Sequence, residues 1–220
     1  DPYGLLRLLG AAVVLLFFTF YTASGLVAGG KLFETVFGLH YTWAVAAGAG
    51  AVLAYTFIGG FLAVSWTDAL QGMLMLVALV LVACFGVAIM GGFDGLAAGL
   101  AERNPALLNA FTDSAGAPLT LIGVASLLGW GLGYFGQPHI LARFMAVRSA
   151  GELVASRRIA VGWVSIALAA AMIVGLTGAA WLTPGLEGAD TEKVFMAMAA
   201  ALLHPVVAGV CLAGILAAVM

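Results

Sequence analysis

The chain has 220 residues, of which 64% are hydrophobic and 8% are charged, and its mean hydropathy is +1.16. Soluble domains carry about 25% charged residues, so this chain has too little polar surface to cover itself in water. Its net charge of −2 and its two cysteines exclude a basic nucleic-acid-binding surface and a disulfide-stapled domain, and its hydrophobicity excludes a disordered chain. We therefore predict an all-α polytopic membrane protein.

Apolar stretches long enough to cross a bilayer occur six times along the chain. Backbone groups in lipid must be paired within their own segment, so we predict that each stretch is a helix of a single transmembrane domain. The last stretch runs to the final residue, and we expect it to be truncated and the chain to be a fragment of a longer protein. The predicted spans are residues 8–30, 41–64, 66–90, 119–142, 159–182 and 194–220.

Charged residues are concentrated between these spans. Loop 143–158 carries four arginines, from Arg143 to Arg158, against one glutamate, whereas loops 91–118 and 183–193 are net acidic. The positive-inside rule then places loop 143–158 in the cytoplasm, in a multi-pass protein of the plasma (inner) membrane. Loop 91–118 is expected outside, with a short helix near residues 96–102.

Two polar positions lie within or beside the first three spans. Tyr21, with Thr22 and Ser24, forms a hydroxyl cluster that either bonds a neighbouring helix or contributes to a site. Asp68 follows Thr67 at the predicted start of the third span. There it either begins the helix, favoured by the helix dipole, or serves a cation on its way to water.

The fourth span contains an unusual stretch, residues 129–139, with the sequence GWGLGYFGQPH. Five of its eleven residues are Gly or Pro, which cost about 1 and 3 kcal/mol, respectively, relative to Ala in a helix interior. Gly129 and Gly133 could also serve close helix packing, but packing does not account for Pro138 beside Gln137. The stretch therefore predicts a broken helix, a device that transporters use to hold solutes.

Two aromatic residues in this stretch, Trp130 and Tyr134, are four positions apart and share one face of any helix retained there. Aromatic residues in membrane helices more often belong to the interfacial belt or the core, but their position within a break favours contact with a ligand. His139 and His204 lack partners at metal-ligand spacing, so we predict neither a metal centre nor an enzyme active site.

Four segments resemble the sodium/solute symporter family, and the resemblance covers nearly the whole chain. It is weakest in loop 91–118. The segments are residues 21–25 (YTASG), 55–68 (YTFIGGFLAVSWTD), 129–146 (GWGLGYFGQPH through RFMA) and 213–220 (AGILAAVM).

The resemblance implies a LeuT-type fold, in which two inverted five-helix repeats enclose a site at the middle of the membrane. This chain corresponds to part of each repeat, which explains why no internal repeat is visible. The family's principal sodium ligands are expected outside the chain, upstream of Asp1 and just after Met220. Sodium is the implied co-transported ion.

The resemblance also implies a function and a set of site residues. It implies sodium-coupled uptake of L-proline by alternating access. The implied partners are L-proline, sodium and the surrounding lipid bilayer, with no obligate protein partner. By match to the family's motif, Tyr21, Trp130, Tyr134 and Pro138 are implied to line the solute site, and Asp68 to lie near the inner sodium route. A different small solute, or a channel or non-transporting membrane subunit, remains an alternative.

Overall fold

The computed structural model describes residues 4–113, 115–186 and 188–219. Within these residues the chain consists of helices, short 3₁₀ turns, loops and one isolated β-bridge, between Thr112 and Pro118, so the all-α prediction is confirmed. The 3₁₀ turns are Pro105–Leu108, Tyr134–Gly136 and Gly188–Lys193. The α-helices are α1 (Leu5–Phe37), α2 (Tyr41–Ile89), α3 (Phe93–Arg103), α4 (Leu121–Gly133), α5 (Pro138–Met145), α6 (Glu152–Trp181), α7 (Val194–Leu202) and α8 (Pro205–Val219).

Three of these helices are long and apolar enough to cross a membrane. They lie at Leu5–Glu34, Tyr41–Ile89 and Glu152–Trp181. Large apolar side chains stand exposed along them, among them Leu15, Ile58 and Ile166. A soluble protein would bury such a surface, whereas a lipid bilayer covers it.

The described residues form two compact units. The first comprises the described residues within 1–75 and 209–220, and the second comprises those within 76–208. In the first unit, α1 ends where Gly38 adopts a left-handed conformation with φ +65° and its N–H donates to the carbonyl of Glu34. The chain then turns into α2, and a Cβ atom at Gly30 would lie 2.5 Å from Val45 and 2.8 Å from Tyr41. The two helices therefore approach closely at Gly30.

Helix α2 is interrupted at Gly60, which has φ +56° and ψ −155°, a conformation essentially restricted to glycine. A Cβ atom at Gly59 would overlap the Cβ of Ala63, although residues four apart in a regular helix are about 5–6 Å apart. The chain therefore turns sharply at Gly60, between residues 41–59 and 61–89. The spans predicted from the sequence, 41–64 and 66–90, instead meet at residue 65.

The second unit has a core built on close contacts at glycines. Val82, Thr177 and Met198 are fully buried, on α2, α6 and α7. A Cβ atom at Gly178 on α6 would overlap Val194 at the start of α7. Helix α3 begins after Gly92 and buries Leu96 and Leu100, so the short helix predicted within loop 91–118 is confirmed.

The remaining helix bounds differ from the predicted spans in three places. Helix α6 begins at Glu152, so α5 and α6 leave only residues 146–151 outside helices in the arginine-rich loop. The fourth predicted span contains α4, a 3₁₀ turn and α5. The last predicted span is divided into α7 and α8: Leu203 is extended after α7, and Pro205, which has no N–H, takes the first position of α8.

Candidate functional site

The predicted break in the fourth span is confirmed. Helix α4 ends at Gly133, the 3₁₀ turn Tyr134–Gly136 follows, and α5 begins at Pro138 after an extended Gln137 with φ −73° and ψ +118°. Proline has no N–H and prefers the first position of a helix, so Pro138 begins α5 rather than continuing α4. The carbonyl of Gln137 accepts hydrogen bonds from the N–H groups of Ile140 and Leu141, both at 3.1 Å.

The interruption places two helix ends of opposite polarity next to each other along the chain. The carboxyl end of α4 carries partial negative charge and the amino end of α5 carries partial positive charge, because the peptide dipoles of each helix add along its axis. A zwitterion carries an ammonium and a carboxylate, which these two ends attract. The backbone at the break is therefore suited to a small zwitterionic solute.

Two of the predicted solute-site residues lie directly at this break. Tyr134 begins the 3₁₀ turn, and its side chain is 44% exposed, so its ring is accessible. Pro138 is half-buried at the start of α5. The backbone of Trp130 belongs to the last turn of α4, and its side chain lies outside the described part of the structure.

Tyr21 lies in the middle of α1, in the first unit, whereas Tyr134 and Pro138 lie in the second. Its side chain is exposed, and its ring lies 5.7 Å from that of Phe18 at 40°. The Ser24 hydroxyl donates to the carbonyl of Tyr21 at 2.7 Å. That part of the predicted hydroxyl cluster is therefore engaged within α1 itself.

Asp68 is not at the start of a helix, contrary to one of the two interpretations of the sequence. It lies eight residues beyond the Gly60 turn, inside α2, and is half-buried. Thr67 does not act as a helix cap either, because its hydroxyl donates to the carbonyls of Ala63 and Val64 in the preceding turn, at 3.0 and 2.9 Å. The helix-start interpretation is wrong because the break precedes Asp68 by two turns.

Tyr55 lies close enough to Asp68 for the two side chains to interact electrostatically. Thirteen residues of continuous helix would separate them by about 20 Å, so the turn at Gly60 brings them together. The Ser65 hydroxyl, next to this pair in sequence, donates to the carbonyl of Phe61 at 2.8 Å and keeps its oxygen lone pairs available. Oxygen atoms of this kind suit a hard cation such as sodium.

Two residues outside the predicted site residues have defined positions in the structure. Tyr55 belongs to the 55–68 motif, but its spacing from Asp68 predicts no interaction between the two without the turn at Gly60. Arg103 is a loop charge in the sequence, but its guanidinium donates to the carbonyl of Ala179 in the last turn of α6 and to that of Leu182, the residue that follows α6. Among the described residues, no group of three His, Cys, Asp or Glu side chains could hold a metal ion.

Comparison with known proteins gives similarity along the whole chain. The "Sodium/proline symporter" of Escherichia coli (strain K12) is 46% identical over 100% of this chain and 44% of its own length. The "High-affinity proline transporter PutP" of Bacillus subtilis is 42% identical, over 100% of this chain and 46% of its own length. The "Sodium/proline symporter 2" of Staphylococcus saprophyticus is 43% identical, over 100% of this chain and 42% of its own length. No solved structure gives a significant match.

The chain therefore spans less than half the length of these curated relatives. The sequence profile described as "Sodium:solute symporter family" matches residues 2–220, nearly the entire chain. Together with the long apolar helices, this match makes the chain part of an integral membrane protein. The chain belongs to the sodium:solute symporter family.

Proposed function

We propose that this chain is part of a secondary transporter that couples inward sodium movement to uptake of L-proline by alternating access. The observation that carries the proposal is the interruption between α4 and α5, with Tyr134 and Pro138 at the break. Relatives named as proline transporters, 42–46% identical along the whole chain, support the choice of solute and of sodium as the co-transported ion. Transport of this kind needs no covalent chemistry, so the protein acts as a transporter and not as an enzyme.

We assign the solute site to Tyr21, Trp130, Tyr134 and Pro138. Proline carries an apolar ring and two opposite charges, so its site needs apolar or aromatic walls together with backbone groups that receive the charges. The accessible ring of Tyr134 meets the first requirement, and the helix ends on either side of it meet the second. Trp130 and Tyr21 belong to the proposed site on the strength of the family resemblance.

Asp68 is proposed to lie on the route by which sodium leaves the protein. It is a half-buried acid near enough to Tyr55 for the two side chains to interact electrostatically, and the hydroxyls of Ser65 and Thr67 lie three and one positions before it in the sequence. Burying an acid within a membrane helix is costly, which favours a functional role for such a residue. The principal sodium ligands are expected outside this chain.

For the architecture we propose part of a LeuT-type core with six spans and with loop 143–158 in the cytoplasm. The turn at Gly60 supports two crossings by α2, because its segments of 41–59 and 61–89 are about 28 and 44 Å long. The hydrocarbon core is about 30 Å thick, so each segment is of a length suited to one crossing. A single uninterrupted helix of 49 residues would be more than twice that thickness.

Sodium coupling supplies enough free energy for concentrative uptake. One charge moving through 100 mV provides about 2.3 kcal/mol, and a tenfold sodium gradient adds about 1.4 kcal/mol. At one sodium per proline, the sum corresponds to about a 500-fold proline gradient.

The test is uptake of radiolabelled L-proline by the full-length protein in proteoliposomes, with an inward sodium gradient or an equal potassium gradient. We expect saturable uptake with sodium and at least tenfold less with potassium. Tyr134→Ala should reduce uptake at least tenfold, whereas Leu132→Ala, an exposed position two residues earlier on α4, should leave it within twofold. Equal proline uptake with both cations would contradict the proposed coupling.

Two alternatives have distinct outcomes in the same assay. A transporter for another small solute would show sodium-dependent uptake of a competitor but no displacement by proline. A channel or non-transporting subunit, in which the glycines of α4 serve only packing, would show no saturable uptake. Replacing Tyr134 would then leave activity unchanged.

A further inference from the structure

The second unit contains a cavity that is separate in sequence from the α4–α5 break. It has a volume of about 330 Å³ and lies between the end of α3, the last turns of α6 and the segment that leads to α7. Ligand sites in proteins have volumes of about 300–1,000 Å³, so this cavity suits a small ligand. Its lining includes Arg103, Gly175, Leu182, Leu186, Thr191 and Val194.

Arg103 is held in place at this cavity by the end of α6. Its Nη1 donates to the carbonyl of Ala179 at 2.9 Å, and its Nη2 donates to the carbonyl of Leu182 at 2.6 Å. These carbonyls belong to residues 76 and 79 positions after Arg103 in the sequence. The two hydrogen bonds fix the position of the Arg103 side chain. A cation at the carboxyl end of a helix is also favoured by the helix dipole.

The guanidinium keeps donors for a ligand. It has five N–H groups, of which two serve the α6 carbonyls and three remain. Among the residues that the structure describes, no carboxylate forms an ion pair with it. Arg103 therefore brings a fixed positive charge with available donors to the cavity, and planar guanidinium groups bind carboxylates with particular geometric fit.

The rest of the lining is suited to an apolar body. Leu182, Leu186 and Val194 contribute aliphatic side chains, and Thr191 contributes a hydroxyl. At Gly175 a Cβ atom would meet nothing within 4 Å, so the space beside α6 is open there. At Gly185, by contrast, a Cβ atom would lie 3.0 Å from Nη1 of Arg103, so the chain approaches the guanidinium closely.

We propose that this cavity is a second binding site, which takes a small monocarboxylate with a compact apolar body, its carboxylate on Arg103 and its body against Leu182, Leu186 and Val194. The described lining carries one charged side chain, which is cationic, so a ligand with an anionic group alone fits better than a zwitterion. The site is therefore distinct in chemistry from the proposed proline site. The inference does not depend on which solute the protein transports.

In the experiment, purified full-length protein in lipid nanodiscs is titrated with cyclopentanecarboxylate, and binding is measured by isothermal titration calorimetry. Sodium and saturating L-proline are present throughout, so that the proposed solute site is occupied. Cyclopentanecarboxamide, which has the same ring but no charge, serves as the ligand control. We expect binding of the carboxylate and at least tenfold weaker binding of the amide. Equal binding of the two, or no binding of the carboxylate, would overturn the proposal.

Two variants test the location of the site by different means. Arg103→Gln removes the charge but keeps an amide that can donate to the α6 carbonyls, and Gly175→Leu fills the cavity without altering Arg103. Each should weaken carboxylate binding at least tenfold. Gly162→Leu is the matched control on α6, because a Cβ atom there also meets nothing within 4 Å and Gly162 does not line the cavity. A thermal unfolding transition shows whether Gly175→Leu is folded. Unchanged carboxylate binding in the folded variant would place the ligand elsewhere.

Sodium-dependent proline uptake, measured on the same preparations, separates this inference from the proposed function. Carboxylate binding that depends on Arg103 and Gly175 supports the second site even if proline is not transported. Proline uptake without such binding overturns the second site and leaves the proposed function intact.

Discussion

The hydroxyl oxygen of Thr177 on α6 lies 2.7 Å from the position that a Cβ atom would occupy at Gly86 on α2. Thr177 is fully buried, and its hydroxyl donates to the carbonyls of Ile173 and Val174 at 2.8 and 3.1 Å. A hydrogen atom at Gly86 thus leaves room for a threonine whose polar group is satisfied within its own helix. Close contact of this kind, through small residues, is a common way for membrane helices to associate.

Substitution of Gly86 by Val should therefore destabilise the protein. The added methyl groups would meet Thr177 and Met198, and overpacking of this kind costs about 1–3 kcal/mol. Gly162→Val is the matched control, since open space surrounds that glycine on α6. Thermal unfolding in detergent should show a lower midpoint for Gly86→Val than for Gly162→Val. Equal midpoints would mean that the contact between α2 and α6 is not tight at Gly86.

A second prediction concerns the effect of substitutions at the Gly60 turn on stability. An alanine there would have to adopt φ +56° and ψ −155°, at a cost of about 1–3 kcal/mol. Gly50→Ala, in open space on the same helix, should instead be neutral or stabilising by up to about 1 kcal/mol. We expect Gly60→Ala to lower the unfolding midpoint and Gly50→Ala to maintain or raise it.

Spin labels can test the geometry of this turn directly. Cysteines would replace Ala54 and Ala69, with Cys84 and Cys211 changed to Ser. A continuous helix would separate the two backbone positions by about 22 Å. We expect a clearly shorter distance by electron paramagnetic resonance, and a value near that of a continuous helix would refute the sharp turn.

The proposed ion route predicts a change in sodium dependence. Asp68→Asn removes the negative charge that attracts the cation, so the sodium concentration for half-maximal proline uptake should rise at least tenfold. Tyr55→Phe, which removes only the hydroxyl that interacts electrostatically with this acid, should cause a smaller rise. Asp94→Asn, at an exposed site in the first turn of α3, is the control and should cause none. An unchanged sodium dependence in Asp68→Asn would remove this residue from the route.

A fourth prediction concerns the loop before α7. The Lys193 ammonium, 2.8 Å from Asp190, holds the pKa of that carboxyl below its ordinary value of 3.8 by hydrogen bonding and by charge. Since the folded pKa is lowered, the pair favours the folded loop above pH 3.8, and this contribution is lost as the pH falls through the folded pKa. In Lys193→Gln, a carbon-13 NMR titration should show the pKa of Asp190 raised towards 3.8. A pKa that stayed low would assign the shift to another group.

Much of this protein follows from local features of its sequence. The scarcity of charge and the long apolar runs determine that it is helical and lies in a membrane, since no other solvent covers such a surface. The five Gly and Pro residues between 129 and 139 likewise determine a break, because each raises the free energy of a regular helix. Both conclusions rest on properties that each segment has by itself.

Tertiary structure decided the features that join distant residues. The turn at Gly60 depends on one backbone conformation, which hydropathy does not report. The sequence therefore predicts Asp68 at the start of a helix, whereas Asp68 lies within α2, near enough to Tyr55 for an electrostatic interaction. The bonds from Arg103 to Ala179 and Leu182 depend on how α3 packs against α6. Composition and spacing describe residues that are close along the chain, whereas these contacts arise only when the folded chain brings separate helices together.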